Sequence, residues 1–265
     1  MNSLLTSAFI VALIGGVVDL DSTATWQFMI SQPIVAAPLT GLFLGLSAGD
    51  LGAGLKLGLI VGAILQLVWI EQLPLGMNVP PDAALSSVLS VALGFLAGHQ
   101  YATYVEREVC STIALLLSVA LGLLGRSLDM FVRRINTSIS QWAELRLEEG
   151  KTWAPAYGHA AGGVCTFTKA FLFCFLVVLI GVEPLRYFTE SLNFVQNTGF
   201  IVIQGLLPAV GFAVLASMCI QSRREFRFFL GGIAIFTVLP ASIWLGLPLA
   251  LVTGWVFTRS ANGAA

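Results

Sequence analysis

Apolar residues in this chain come in long runs, not at the alternating or one-face spacing of a water-soluble fold. The first run extends from Leu4 to Val18 and is expected to end at Asp19 and Asp21. A segment from Trp26 to Leu46 follows, interrupted by Pro33 and Pro38. Leu55 to Ile70 is apolar and glycine-rich and gives way to Glu71-Gln72-Leu73-Pro74. Ala83 to Gly98 and Thr112 to Leu128 are further runs. Val164 to Val182 and Phe200 to Ile220 are the cleanest, each close to the roughly 20 residues that cross a bilayer as a helix. Phe228 to Phe257 is too long for one straight span and carries Pro240 and Pro248, so a broken helix or tight pair is expected. The pattern predicts an all-α polytopic membrane protein, a multi-span helical bundle with Pro/Gly-broken re-entrant segments. Broken segments recur in both halves, which is the mark of inverted repeats, although small residues serve close helix packing equally well.

Polar residues divide the chain. Arg133 to Trp153 is the most polar stretch and reads as a helical connector. The expected organisation is an N-terminal transmembrane half, 1–131, a connector, 132–153, and a C-terminal transmembrane half, 154–265. A second basic patch, 222–227, holds Arg223, Arg224 and Arg227. Two spans separate the patches, so they share a face, and the positive-inside rule puts that face in the cytoplasm. Glu183 to Asn197 falls outside by the same count.

Composition narrows the class. Only 10% of the residues are charged, where a soluble domain has about 25%, so lipid must solvate much of the surface. The net charge of -1 gives no support to nucleic-acid binding. Cys110, Cys165, Cys174 and Cys219 lie in or beside apolar runs without a CxxC pair and read as buried thiols. No basic region precedes the first run and no clean cleavage site follows it, so it reads as a retained span. HExxH, GxSxG and metal-ligand spacings are missing, so neither catalytic residues nor a cofactor or metal is expected.

The candidate chemistry lies between Gln66 and Asp82. Glu71 and Asp82 flank a proline-rich stretch joined at both ends to apolar runs. A carboxylate at the bilayer centre costs about 2.5–3.5 kcal/mol on the insertion scale, so it faces a cavity, a partner or the interface. Prolines forbid regular helix here and free backbone groups to bond. Sugar hydroxyls both donate and accept, and Gln66, Glu71, Gln72, Asn78 and Asp82 can answer both needs. Each residue also has a structural reading. Asp82 suits a helix N-cap, Glu71 an interfacial loop charge, and Gln66 an interhelical hydrogen bond. Asp50, in a glycine-rich stretch read as flexible, is a loop acid or a partner for Lys56; Lys169 snorkels or pairs with a carboxylate. Asn193, Gln196 and Asn197 read as ordinary outer-loop residues.

Several of these stretches resemble one family. Gln32-Pro33-Ile34-Val35 with Leu39-Thr40-Gly41-Leu42-Phe43-Leu44-Gly45 resembles the RPxVxGxLxGxxLG stretch of IIC components of the mannose/fructose/sorbose phosphotransferase system (PTS). Gly58 to Trp69 resembles that family's glycine-rich segment, and Gly76 through Pro80-Pro81-Asp82-Ala83-Ala84-Leu85 its GxxxPPDAAL signature. Leu121 to Arg126 and Gly199 to Gly211 follow the pattern more loosely. The chain departs from it at Gln32, Glu71 and Pro74, and between Gly45 and Gly58 it is longer. The resemblance implies a sugar permease subunit of the bacterial inner membrane with inverted repeats and an elevator-like motion. It also implies a IID membrane partner, cytoplasmic IIA and IIB phosphocarriers, a hexose substrate and an oligomeric assembly. Gln66 and Asp82 then fall at sugar-contacting positions, and phosphoryl transfer falls to IIB. Two other classes remain open: a proton- or ion-coupled transporter using Glu71 and Asp82, and a non-transporting membrane scaffold.

Overall fold

The computed structural model describes residues 2–25, 27–70, 79–99, 101 and 103–238. Glu71, Gln72 and Asn78, together with Pro240 and Pro248, lie outside the described residues. The described chain is helical: α1 (Asn2–Thr23), α2 (Pro33–Ala48), α3 (Leu51–Val68), α4 (Ala83–Gly98), α5 (Tyr104–Glu148), α6 (Ala154–Glu190), α7 (Phe194–Cys219) and α8 (Arg223–Val238). Five of these helices (α1, α3, α5, α6 and α7) are long and apolar enough to cross a membrane. Two compact units divide the chain, one up to Leu215 and one from Ala216.

The first unit is built around α4, in which every residue except Ala83 and Leu96 is buried. It packs against α1, α2, α3, α5 and α6. A helix enclosed on all sides needs no polar face, and its sequence has none beyond Ser86, Ser87 and Ser90. Other large apolar side chains point outward. Leu5, Phe9, Leu13 and Val17 form an exposed stripe on α1, as do Leu172, Leu176 and Ile180 on α6. Stripes of this size face lipid, while small residues such as Ala8 and Ala12 pack inward.

The α2–α3 hairpin shows what the glycines do. A Cβ at Gly41 would collide with the Gly54 carbonyl, and one at Gly58 would lie 2.7 Å from the Ala37 carbonyl oxygen. The two backbones therefore touch. Gly49 closes the turn at φ 75°, a conformation that glycine adopts without strain. The rest of the stretch read as flexible is ordered: Asp50 accepts from Ala53 N at 3.1 Å and caps α3, with Gly52 and Gly54 already helical. Asp50 is therefore a cap and not a partner of Lys56, whose ammonium sits 5.4 Å from the Tyr104 ring centroid.

Several helix limits differ from expectation. α1 continues through Asp19 and Asp21 to Thr23, because both carboxylates find partners inside the bundle. Pro33 opens α2 at the position where its missing N–H costs nothing, and Pro38 lies inside the helix without ending it. The span from Thr112 and the connector are one helix, α5, which runs unbroken past residues 131 and 132. It ends at a turn where Gly150 has φ 82°, and α6 starts three residues after Lys151. α6 continues past Val182, through Glu183, to Glu190. Asn193 and Gln196 cap α7 reciprocally, each side chain accepting the other's backbone N–H at 3.0 Å. Cys110 and Cys174 are buried as expected, whereas Cys165 is half-buried and Cys219 exposed.

In the second unit, Ser222 and Glu225 form a capping box. Ser222 Oγ accepts from Glu225 N at 3.3 Å and the Glu225 carboxylate from Ser222 N at 2.9 Å.

Candidate functional site

Asp82 follows the non-helical residues Val79 to Pro81 and opens α4. Its Oδ1 accepts from Leu85 N at 2.9 Å, so the cap read from the sequence is present. Its own N–H donates to the Gly122 carbonyl on α5 at 2.9 Å. Gly125, one turn further on, has no side chain because a Cβ there would stand 2.7 Å from the Asp82 Cβ. These two glycines seat the start of α4 against α5.

The second Asp82 oxygen points into a buried charge cluster. Lys169 Nζ on α6 lies 2.8 Å from Asp19 Oδ2 of α1, 3.5 Å from Asp82 Oδ2 and 2.6 Å from Asp129 Oδ1 of α5. The side chains of Lys169, Asp19 and Asp82 are 6%, 3% and 4% exposed, and Asp129 is 29% exposed. An ammonium carries three N–H groups, and here it is shared among carboxylates from three other parts of the chain. The carboxylate oxygens lie within 4.8 Å of one another, near enough to surround a cation, and the lysine supplies that cation. Of the four members, sequence reasoning placed only Asp82 in a site. Asp19 looked like the end of a span, and Asp129 passed unnoticed just after the Thr112 to Leu128 run. The usable signal was Lys169, since an ammonium alone in an apolar span requires a carboxylate.

Gln66 belongs to a different corner. Its Oε1 accepts from Ile34 N at 3.2 Å and its Nε2 donates to Gln32 Oε1 at 3.1 Å. Gln32, the N-cap of α2, makes no side-chain cap of its own, so Gln66 caps α2 from α3. The interhelical hydrogen bond read from the sequence is thus present. Asp21 orients the chain just before this point. Its two oxygens accept from Phe28 N at 2.7 Å and Ser31 N at 3.1 Å. That clamp holds Gln27 and Met29 at φ 54° and 65°, a region non-glycine residues rarely adopt. Gln66 and Asp82 therefore have separate partners, one at the start of α2 and the other at the start of α4.

A buried helix that begins at a pair of prolines and a cluster of charges, packed among apolar helices of which four are long enough to cross a membrane, defines a multi-pass membrane protein of the transporter class. The particular family follows from comparison. Residues 5–255 match the family described as "PTS system sorbose-specific iic component", and the chain belongs to that family of sugar permease subunits. It is 26% identical over 231 residues to the mannose-specific EIIC component of Escherichia coli (strain K12), covering 86% of this chain and 79% of that one. It is 29% identical over 237 residues to the fructose permease IIC component of Bacillus subtilis (strain 168), covering 88% and 81%. The fold is similar to a solved membrane-protein structure (TM-score 0.70, 22% identity, 98% and 96% covered). It is also similar to a chain in a mannose transporter ManYZ–microcin E492 complex (TM-score 0.54, 22% identity, 98% and 96% covered).

Proposed function

We propose that this subunit moves a hexose across the bacterial inner membrane, with Gln66 and Asp82 among its contacts, and delivers it for phosphorylation by a IIB partner. The observation that carries this reading is the start of α4. There a non-helical, proline-containing segment leads to a buried carboxylate inside a family of sugar permease subunits. Backbone without regular helix is tolerated at membrane depth only where protein or a wet cavity covers it. Glu71, Gln72 and Asn78 complete the proposed set of contacts. A IID membrane subunit assembles with the chain in this reading. The connector and the 222–227 patch face the cytoplasm, where the IIA and IIB phosphocarriers are. The subunit itself performs no phosphoryl transfer.

The test is uptake of radiolabelled mannose and fructose by cells that lack their own system and express this chain with its IID partner. Asp82→Asn keeps the N-cap, because asparagine caps as well as aspartate, and is expected to lower uptake without loss of the folded protein. Gln66→Ala is expected to lower uptake as well. Uptake at the parental level in both variants would remove these residues from the site.

One observation favours a second reading, a proton- or ion-coupled carrier. The cluster around Lys169 holds three acids against one base. Uptake that collapses with the proton gradient and yields unphosphorylated sugar would support that reading over the first.

A further inference from the structure

A cleft of about 420 Å³ opens at the connector end of the seam between α1, α5 and α6. This lies within the range of roughly 300–1,000 Å³ typical of small-molecule sites. Asn136, Ser140 and Glu144 line it from α5, and His159 lines it from α6 with Gly158 and Gly162. Asn136 follows Asp129 by seven residues on α5, and Gly162 precedes Lys169 by seven on α6. The cleft therefore lies about two turns, some 10 Å, along the helices from the charge cluster.

Three features indicate a ligand. Asn136 Oδ1 is buried and has no hydrogen-bond partner, an exception among buried polar atoms. Gly162, also on the cleft wall, brings no side chain against it; a Cβ there would lie 3.4 Å from that oxygen, an ordinary contact. The groups that line it (an amide, a hydroxyl, a carboxylate and an imidazole) offer both acceptors and donors, as a hydroxyl-rich ligand requires. A carboxylate is present and neither lysine nor arginine lines the cleft, so an anion is disfavoured.

We propose that this cleft is a second binding site, on the connector face, for an uncharged polyhydroxylated molecule of hexose size, and that it rejects the phosphate ester of the same sugar. It is separate from the contacts proposed at Gln66 and Asp82, and either can fail alone. On this reading a free sugar is held at the connector face and its phosphorylated form is not.

A diazirine-bearing mannose, photo-activated on the full chain in lipid nanodiscs and mapped by mass spectrometry, tests this. Label is expected on peptides spanning 136–147 and 155–163, displaced by excess mannose and not by mannose 6-phosphate. Gly162→Leu fills the cleft and Asn136→Ala removes the orphan acceptor without adding bulk, and each is expected to lower that label roughly tenfold. Displacement by the two sugars alike, or label unchanged in Asn136→Ala, overturns the proposal. So does the absence of any displaceable label on these peptides, whatever happens to peptides around Gln66 and Asp82.

Discussion

Lys169 joins four parts of the described fold through one ammonium. It pairs with carboxylates from α1, the start of α4 and α5, while itself belonging to α6. Removing one partner from a buried ion pair typically costs about 3–5 kcal/mol, because the remaining charges are left uncompensated. Lys169→Met is therefore expected to lower the thermal unfolding midpoint in detergent steeply. Adding Asp19→Asn and Asp129→Asn to it should restore part of the loss, since two orphaned charges then disappear. A thiol-reactive dye that reports exposure of Cys174, buried beside Gly15, measures both effects. Little of this cluster was legible in the sequence. Asp19, Asp82, Asp129 and Lys169 are scattered along the chain, and hydropathy treats each carboxylate as the edge of an apolar run. What the sequence does offer is a demand for partners, not their identity: the charge on Lys169 must be met, and only the packing says by what. Asp82 was legible as a cap, because proline before it and alanine after it locate a helix start whatever surrounds it. At the far end of α5, Glu149 offers a residue-scale test in water. Hydrogen bonds from Lys151 and then Arg146 hold its carboxyl below the usual range. The turn that these contacts tie thus gains stability above the unfolded-state pKa of Glu149 and loses it as pH falls through the lower folded value. A carboxyl carbon-13 titration should show a midpoint below 4.5 that moves upward in Lys151→Gln.

At the scale of elements, the small residues decide which helices can meet. Gly122 accepts the Asp82 N–H and Gly125 leaves room for its Cβ, so α5 seats the first turn of α4. Gly125→Ala forces that turn away from α5 and is expected to reduce sugar uptake more than it reduces the amount of protein in the membrane. Gly41→Ala sets a methyl group against the Gly54 carbonyl across the α2–α3 hairpin. Overpacking typically costs about 1–3 kcal/mol, so the unfolding midpoint should fall. Immunoblotting, uptake and thermal unfolding separate these outcomes: a Gly125→Ala protein with parental uptake would show that the seating of α4 does not matter to transport. The sequence displayed the glycines but not their pairing, since a glycine-rich apolar run is equally consistent with flexibility. That is why Gly49 to Gly54 read as loose, when only Gly49 needs a left-handed turn and the rest is helix capped by Asp50. Helix existence was legible from long apolar runs. Helix length was not, because α5 carries on into polar sequence at Arg133 and Arg134, where hydropathy ends but helix propensity does not.

For the whole molecule, the two longest helices settle which ends can be reached from which side. α5 has 45 residues and α6 has 37. At 1.5 Å per residue these are about 67 Å and 55 Å long, against a hydrocarbon core of about 30 Å. Each must project beyond the bilayer, and they meet at the Gly150 turn, so that hairpin tip protrudes on one face. Glu190, at the other end of α6, then lies towards the opposite face. The basic residues Arg133, Arg134, Arg146 and Lys151 gather near the tip, which the positive-inside rule assigns to the cytoplasm. A chain with Cys165 and Cys219 replaced by serine keeps only the two buried thiols as background. In that chain, Glu148→Cys is expected to react with a membrane-impermeant maleimide in inside-out vesicles and to stay unlabelled in intact spheroplasts. Glu190→Cys should do the reverse. Labelling of both positions from the same side would mean that α6 does not cross the membrane. Exchange of the two patterns would keep the fold but turn the connector cleft outward, and a partner that phosphorylates sugar in the cytoplasm could then not take it from there.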